Sequence, residues 1–172
     1  MSAIVVAENG RQLMHKLQTM KTSVESGFID PSEQYATFWL GHDFFGVEVL
    51  KVQEILKSQE MTPLPLAPHY VSGLINLRGQ IITAIDLGAR IANRKRVAPD
   101  KSMNVVINSG GSAISLLVDK IGDVITVELS RMVEPPPTLK SIKTDFLKTV
   151  GRLDSGLLMI LNVDHILQDE KN

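Results

Sequence analysis

The sequence has no cysteine among its 172 residues. Disulfide bonds, thiolate metal sites and cysteine nucleophiles are therefore excluded, and the composition suits a reducing compartment such as the cytoplasm. An excess of charge of either sign is also missing, because 18 Lys and Arg nearly balance 19 Asp and Glu. The basic residues are dispersed along the sequence. A chain without a basic excess lacks the electrostatic footprint of a protein that binds nucleic acid.

Long apolar runs and catalytic motifs are missing as well. No apolar stretch approaches the roughly 18 residues of a membrane-spanning helix, and the N-terminus has no signal-peptide pattern. No phosphate-binding or nucleophile motif is present, and the four histidines lack the spacing of metal ligands. We therefore expect a soluble cytoplasmic protein without direct membrane insertion, which is not an enzyme, has no catalytic residue and binds neither a metal nor a cofactor. The histidines are His15, His42, His69 and His165.

Residues 1–32 are predicted to form an N-terminal arm, partly helical or disordered, ahead of a folded domain over residues 33–172. Within residues 9–26, four apolar side chains recur at helical spacing and form one stripe. An isolated helix of this length is marginal in water, so the arm either packs on the domain or frays. A docked arm and a helix that binds a partner both fit this pattern. The stripe consists of Leu13, Leu17, Met20 and Val24.

After the arm, short apolar segments separated by Gly-rich and Pro-rich turns predict an all-β protein with minor helices. Period-two alternation predicts a hairpin over residues 35–49 and a strand over 52–57. Further strands are predicted at 103–108, 112–118, 122–128 and 157–161. Residues 144–150 are predicted as one or two helical turns, and Asn162 or Asp164 as the cap of a last helical segment through Asp169. No internal repeat is apparent in the sequence.

The most informative stretch is Asn76-Leu77-Arg78-Gly79, which has apolar runs on both sides. It predicts two strands closed by a tight turn, in which Gly79 takes a positive φ and the Asn76 side chain bonds its own backbone. Such a turn lifts Arg78 into solvent or into a cleft.

With four further segments, this motif resembles the CheW family of chemotaxis coupling proteins, from about Glu33 to the C-terminus. The resemblance implies two five-stranded SH3-like β-barrel subdomains packed side by side. It also implies an adaptor of a two-component system, which joins the cytoplasmic tip of methyl-accepting chemoreceptors to the regulatory domain of a CheA-type histidine kinase in membrane-associated arrays. The residues that contact the kinase, the stimulus and the downstream output stay unassigned. The further segments are Val52-Gln53-Glu54-Ile55, Ile85-Asp86-Leu87, residues 44–49 and the prolines Pro63, Pro65 and Pro68.

Glu54 and Arg78 match two positions that lie near one another at the receptor-binding surface of this family. As a plain exposed ion pair they would contribute about 0.2–1 kcal/mol to stability, whereas at the rim of a groove they would tune association and register. We expect a receptor's helical hairpin to lay its apolar stripe into that groove. Val49 and Leu74 fit a barrel core better than a groove wall, and the two glycines equally satisfy turn geometry, although a side chain at Gly73 is expected to obstruct the partner. The candidate walls of the groove are Val49, Val52, Gly73, Leu74 and Gly79.

Two other functions stay open on the sequence. A small β-barrel can bind nucleic acid, but that use requires a basic groove with exposed aromatic side chains, and aromatic residues make up 5% of this chain. A CheV-like protein joins the same kind of coupling domain to a response-regulator receiver domain. That alternative requires a receiver domain in addition to these 172 residues.

Overall fold

The computed structural model describes residues 12, 14, 15, 18, 19, 32–94, 101–139, 142–166 and 168. Of the six described residues of the N-terminal arm, five are helical and Ser32 begins the first strand, and the Met14 side chain packs against the main core. The rest of the predicted arm helix lies outside the described residues, as does Asp169.

The described chain is dominated by short strands. The strands are β1 (Ser32–Leu40), β2 (Asp43–Glu48), β3 (Val52–Lys57), β4 (Val71–Leu77), β5 (Gln80–Asp86), β6 (Met103–Ser109), β7 (Ser112–Val118), β8 (Lys120–Glu128), β9 (Met132–Val133), β10 (Leu147–Leu153) and β11 (Gly156–Leu161). Helix α1 (Leu87–Ala92) follows β5, and helix α2 (Val163–Ile166) follows β11. Single 3-10 turns over Val49–Lys51, Leu129–Arg131 and Thr144–Phe146 precede β3, β9 and β10.

The strands form two sheets, which makes the all-β architecture with two subdomains a confirmed prediction. The first sheet has the strand order β8-β1-β2-β11-β10-β9, and the second has the order β3-β6-β7-β5-β4. Neighbouring strands are antiparallel except for β2 with β11 and β5 with β7, which are parallel. The first sheet has six strands rather than the expected five, because the two-residue β9 adds to its edge.

The main apolar core draws residues from both sheets. Phe38 and Phe45 of the first sheet belong to it, together with Val105 and Leu116 of the second. Strand side chains alternate between the two faces of a sheet. The opposite face of each sheet therefore carries a smaller apolar cluster, which includes Tyr35 in the first sheet and Ile75 in the second. Each fully buried Val, Leu, Ile or Phe contributes about 1.5–3 kcal/mol, so the shared core is the main force that holds the sheets together.

The chain crosses between the two sheets twice. The first crossing is the turn Val49–Lys51 between β2 and β3, and the second is at Asp119 between β7 and β8. As a result β1 and β2 pair with strands that come from the second half of the chain, and β6 and β7 complete the sheet that begins with β3. The two subdomains therefore exchange their first hairpins.

Apart from the two-residue β9, the two halves of the chain also repeat one order of elements: hairpin, crossing, strand, hairpin and helix. Thr83 of β5 pairs with Ile114 of β7, and Met159 of β11 pairs with Phe45 of β2. In both cases the fourth residue of one strand faces the third residue of the other. The unit of β5 and α1 is thus equivalent to the unit of β11 and α2, and this structural repeat was not apparent in the sequence.

The helical prediction for residues 144–150 is wrong over most of its length. A single 3-10 turn ends at Phe146, and β10 begins at Leu147. Thr149 and Val150 are β-branched, which favours extended backbone, and β10 gains partners on both sides in β9 and β11. Strand pairing with distant segments therefore decides the local structure here.

Candidate functional site

The hairpin turn at Arg78 and Gly79 forms as the sequence predicts. Leu77 pairs with Gln80, and the two residues between them have φ angles of 52° and 86°. Positive φ at both central residues is typical of the type I′ turn, which matches the twist of the flanking strands. The Oδ1 atom of Asn76 accepts a hydrogen bond of 3.0 Å from the Gly79 amide. This turn presents the Arg78 side chain, which is 80% exposed.

Arg78 reaches from this turn to Glu54 in β3. Its Nη2 atom lies 2.6 Å from the Oε1 atom of Glu54, whose side chain is 14% exposed. Strands β3 and β4 stand at opposite ends of the strand order of the second sheet. The ion pair therefore tethers the hairpin at one end of the sheet to the strand at the other end. The structure thus brings together the two residues that the sequence singled out.

Val52 and Leu74 lie at the two ends of one row of residues across the second sheet. Cross-strand pairing links Val52 to Ile107, Ile107 to Ile114, Ile114 to Thr83 and Thr83 to Leu74. Paired residues share a face of the sheet. The first three residues of the row are buried in the main core, while Thr83 and Leu74 are partly exposed. The row therefore leaves the core and reaches the surface on the hairpin that carries Arg78.

Gly73 lies under the segment that precedes β4. Thr62 and Leu74 exchange two backbone hydrogen bonds of 2.8 Å, so the Thr62 backbone covers Gly73. A Cβ atom at Gly73 would lie 2.6 Å from the Thr62 carbonyl oxygen, and its φ of 150° is a further obstacle to a side chain. The structure therefore explains this glycine by a contact within the chain itself.

The remaining predicted wall residues divide between core and surface. Val49 and Val52 are buried in the main core, whereas Gly79 is exposed at the turn. The exposed apolar residues that were not predicted include Ile81, at 61% exposure, and Leu50 in the crossing turn. The strand alternation gave a signal for Ile81, because its neighbour Ile82 points to the opposite, buried face. Leu50 could not be found this way, because the crossing turn breaks the alternation.

Possible metal ligands are scattered over the described ranges. No group of three or more His, Cys, Asp or Glu side chains is placed there to hold a metal ion. Nor does this part of the chain contain a helix that is long and apolar enough to cross a membrane.

The fold described above is that of the CheW-like domain. The model of that family matches residues 34–171, so the chain belongs to the CheW-like domain family, a class of chemotaxis scaffold proteins. The resemblance seen in the sequence is therefore confirmed.

Individual relatives place the chain among chemotaxis proteins. The chemotaxis protein CheW of Treponema pallidum is 30% identical over 146 residues, which cover 83% of this chain and 86% of that protein. The chemotaxis protein CheW of Klebsiella aerogenes is 27% identical over 139 residues, which cover 81% and 84% of the two chains. The crystal structure of the scaffolding protein TtCheW from Thermoanaerobacter tengcongensis matches with a TM-score of 0.74 and 27% identity, over 81% of this chain and 90% of that one.

Proposed function

We propose that this protein is a non-enzymatic adaptor that couples methyl-accepting chemoreceptors to a CheA-type histidine kinase. It binds the cytoplasmic tip of the receptor and the regulatory domain of the kinase, and it places the kinase under receptor control in membrane-associated arrays. The observation that carries the proposal is the ion pair between Arg78 and Glu54, on an exposed hairpin where the apolar row of the second sheet reaches the surface.

The backbone at Arg78 supports a role in binding over a role in stability. A residue other than glycine in the left-handed region costs roughly 1–2 kcal/mol, and Arg78 has a φ of 52°. A surface ion pair returns only about 0.2–1 kcal/mol. Because the pair does not offset the strain, folding stability alone would favour glycine or asparagine at this position. An arginine held there is better explained by contact with a partner.

The surface around Arg78 suits an amphipathic helix. Leu74 and Ile81 offer apolar contact, and they share one face of the hairpin because Ile81 pairs with Asn76, two residues after Leu74. The charged pair at the edge of this apolar surface fixes the register of the bound helix and steers its approach. The helical hairpin of a receptor tip has this chemistry.

The kinase side of the proposal depends on likeness between two domains. The family resemblance implies that the kinase's regulatory domain has the same fold as this chain, so we expect the two to pair pseudo-symmetrically through edge surfaces of opposite subdomains. Edge strands with unpaired backbone groups are natural sites for such pairing. No residue of this chain is assigned to that contact.

The test is phosphorylation of the cognate kinase in the presence of receptor-containing membranes. Wild-type protein is expected to cause a large receptor-dependent rise in phosphorylation, and Arg78→Ala is expected to lose most of it while remaining folded. Arg152→Ala is the matched control, because Arg152 is an exposed arginine on β10 of the other sheet. This control should behave as the wild type does.

Two results would contradict the proposal. One is no rise with wild-type protein when another coupling protein shows that the same kinase and membranes are competent. The other is an equal loss in Arg78→Ala and Arg152→Ala, which would mean that the hairpin has no special part in the contact.

A further inference from the structure

A polar junction outside the recognised motif joins the end of the first sheet to the second sheet. Asp164 lies in helix α2, which directly follows β11 of the first sheet. Its Oδ1 atom accepts a hydrogen bond of 2.6 Å from the Ser109 hydroxyl at the end of β6. Its Oδ2 atom lies 3.1 Å from the Nζ atom of Lys51 in the first crossing turn. One carboxylate therefore contacts both the crossing turn and the end of β6 in the second sheet.

The electrostatic setting of Asp164 matches this geometry. The hydrogen bond from Ser109 and then the Lys51 ammonium lower the pKa of the Asp164 carboxyl below its ordinary value. His165, the next residue, adds a smaller effect in the same direction. The carboxylate is thus charged at neutral pH, as an acceptor for both partners must be.

The crossing turn that Asp164 holds leads directly into the candidate binding strand. Lys51 is the last residue of the turn, Val52 begins β3, and Glu54 is two residues further along. The ladder between β3 and β6 is irregular between Val52 and Glu54, so pairing with β6 is interrupted at this point. A second anchor at Lys51 is therefore well placed to fix how β3 leaves the turn.

The second crossing is closed in a comparable way, although its residues are unrelated. Asp119 lies between β7 and β8, and its Oδ2 atom accepts a hydrogen bond of 2.5 Å from the Gly41 amide of the first sheet. The same oxygen lies 3.7 Å from the Nη1 atom of Arg94, which follows α1. At both crossings an aspartate thus links the crossing to segments of the two subdomains. An aspartate link at both crossings indicates that such a link helps to hold the crossing segment in place.

We propose that Asp164 is a positioning residue for the receptor-binding surface: through Lys51 and Ser109 it fixes the crossing turn Val49–Lys51, and so sets the position of Glu54. This inference rests on the proposed function, since it concerns the same surface. Asp164 does not itself touch the partner. It acts through the crossing turn, which leads into β3 and Glu54, whereas Arg78 lies on the hairpin of β4 and β5.

Hydrogen exchange of the full-length protein tests the positioning directly and without a partner. Asp164→Asn and Lys51→Met are expected to speed amide exchange over residues 49–54 by about two- to fivefold, the range of a partly exposed ion pair. Asp145→Asn is the matched control, because Asp145 is an exposed aspartate whose side chain is not part of the junction. It should leave exchange unchanged. Unchanged exchange in the junction variants, or an equal rise in the control, would overturn the positioning role.

Affinity for a receptor-tip peptide hairpin provides the functional arm. Each junction variant is expected to bind about two- to fivefold more weakly, the double variant no more weakly than either single one, and Asp164→Glu nearer to wild type. The midpoint of urea unfolding should stay close to that of the wild type, which separates positioning from loss of fold. Wild-type protein that does not bind the tip would overturn the proposed function. Wild-type binding with unaltered affinity in the junction variants would overturn this inference alone.

Discussion

Ile81 and Leu157 occupy the same position in the two halves of the molecule. Each is the second residue of the strand that follows a two-residue hairpin turn, and they are 61% and 45% exposed. The turns themselves differ, because Arg78 and Gly79 on one side correspond to Asp154 and Ser155 on the other. Leu157 therefore provides an internal reference for a substitution at Ile81.

Ile81→Ser is expected to weaken binding of the receptor tip by about tenfold, since it removes an exposed apolar contact worth roughly 1–2 kcal/mol. Leu157→Ser removes a comparable side chain at the equivalent position of the other sheet and should leave this affinity unchanged. Titration of each variant with the same tip peptide hairpin measures the difference. If both variants lose affinity equally, the partner does not distinguish the two hairpins.

Charge reversal at Glu54 and Arg78 tests whether the partner requires the ion pair or recognises each charge separately. Glu54→Arg or Arg78→Glu alone places like charges in contact and is expected to lower affinity for the tip by about tenfold or more. The double reversal restores the ion pair and should recover part of the loss. The free energy of unfolding is expected to change by about 1 kcal/mol or less in the double variant, because Arg78 is largely exposed. A double variant as weak as the singles would show that the partner reads each charge separately.

Gly73→Ala is expected to lower the free energy of unfolding by about 1–3 kcal/mol, because the new methyl group meets the Thr62 carbonyl oxygen. At Gly79 no described atom beyond the glycine and its two chain neighbours lies within 4 Å of the place that a Cβ atom would occupy, so Gly79→Ala should cost about 1–2 kcal/mol, from backbone strain alone. Urea unfolding of both variants provides the comparison. Stability of Gly73→Ala equal to the wild type, with lost receptor binding, would instead support the expectation from the sequence that Gly73 meets the partner.

Arg90 is a buried cation that ties α1 to the end of the chain. Its Nε atom donates to the Ile166 carbonyl at 3.0 Å and its Nη2 atom to the Gln168 carbonyl at 2.5 Å. The guanidinium carbon also lies 4.3 Å from the Tyr70 ring centre and 4.8 Å from that of Phe146.

Arg90→Ala is therefore expected to lower the free energy of unfolding by about 2–5 kcal/mol, since two carbonyl groups lose a charged donor. Fluorescence of Trp39, the single tryptophan, reports urea unfolding. Arg152→Ala again serves as the control and should change stability by about 0.5 kcal/mol or less. A similar small change in Arg90→Ala would mean that water replaces the lost donor.

The ionisation of Tyr35 is expected to lower the stability of the folded protein at alkaline pH. The phenol is fully buried, and its hydroxyl donates a hydrogen bond of 2.5 Å to Glu33. Burial first, and then this hydrogen bond, raise the pKa of Tyr35 well above its ordinary value. The folded protein thus keeps the proton where the unfolded chain loses it, above about pH 10, so the contribution of Tyr35 is complete below that pH and declines above it. Between about pH 8 and about pH 11, the free energy of unfolding measured with urea should fall less steeply for Tyr35→Phe than for wild type. An equal fall of the unfolding free energy with pH in the two proteins would mean that Tyr35 does not cause the decline.

Local signals in the sequence predicted the local parts of this structure well. The turn at Arg78 and Gly79 follows from the backbone freedom of glycine and the side-chain acceptor of Asn76, both of which act within four residues. Most strands follow from alternation, because one face of each is buried. The pairing of Glu54 with Arg78 came from the family resemblance, since no local rule connects residues 24 positions apart.

The long-range features could not be predicted in this way. The exchange of hairpins depends on which strands meet, and the two equivalent units share few side chains to mark them, as Arg78 and Asp154 illustrate. The error at residues 144–150 has the same origin, because β10 is extended through its pairing with β9 and β11. The junction of Asp164 with Ser109 joins residues 55 positions apart, and each of them alone resembles an ordinary surface polar residue.

The exchanged hairpins also determine how the molecule bears mechanical load. Each sheet contains strands from both halves of the chain, and two covalent crossings, at Val49–Lys51 and at Asp119, run between the sheets. A force that pulls the sheets apart therefore acts on peptide bonds as well as on the shared core. In two domains joined by a single linker, the same force would be resisted by their non-covalent interface alone. A displacement of one sheet is therefore transmitted to the other through covalent connections, which would suit the adaptor role proposed above.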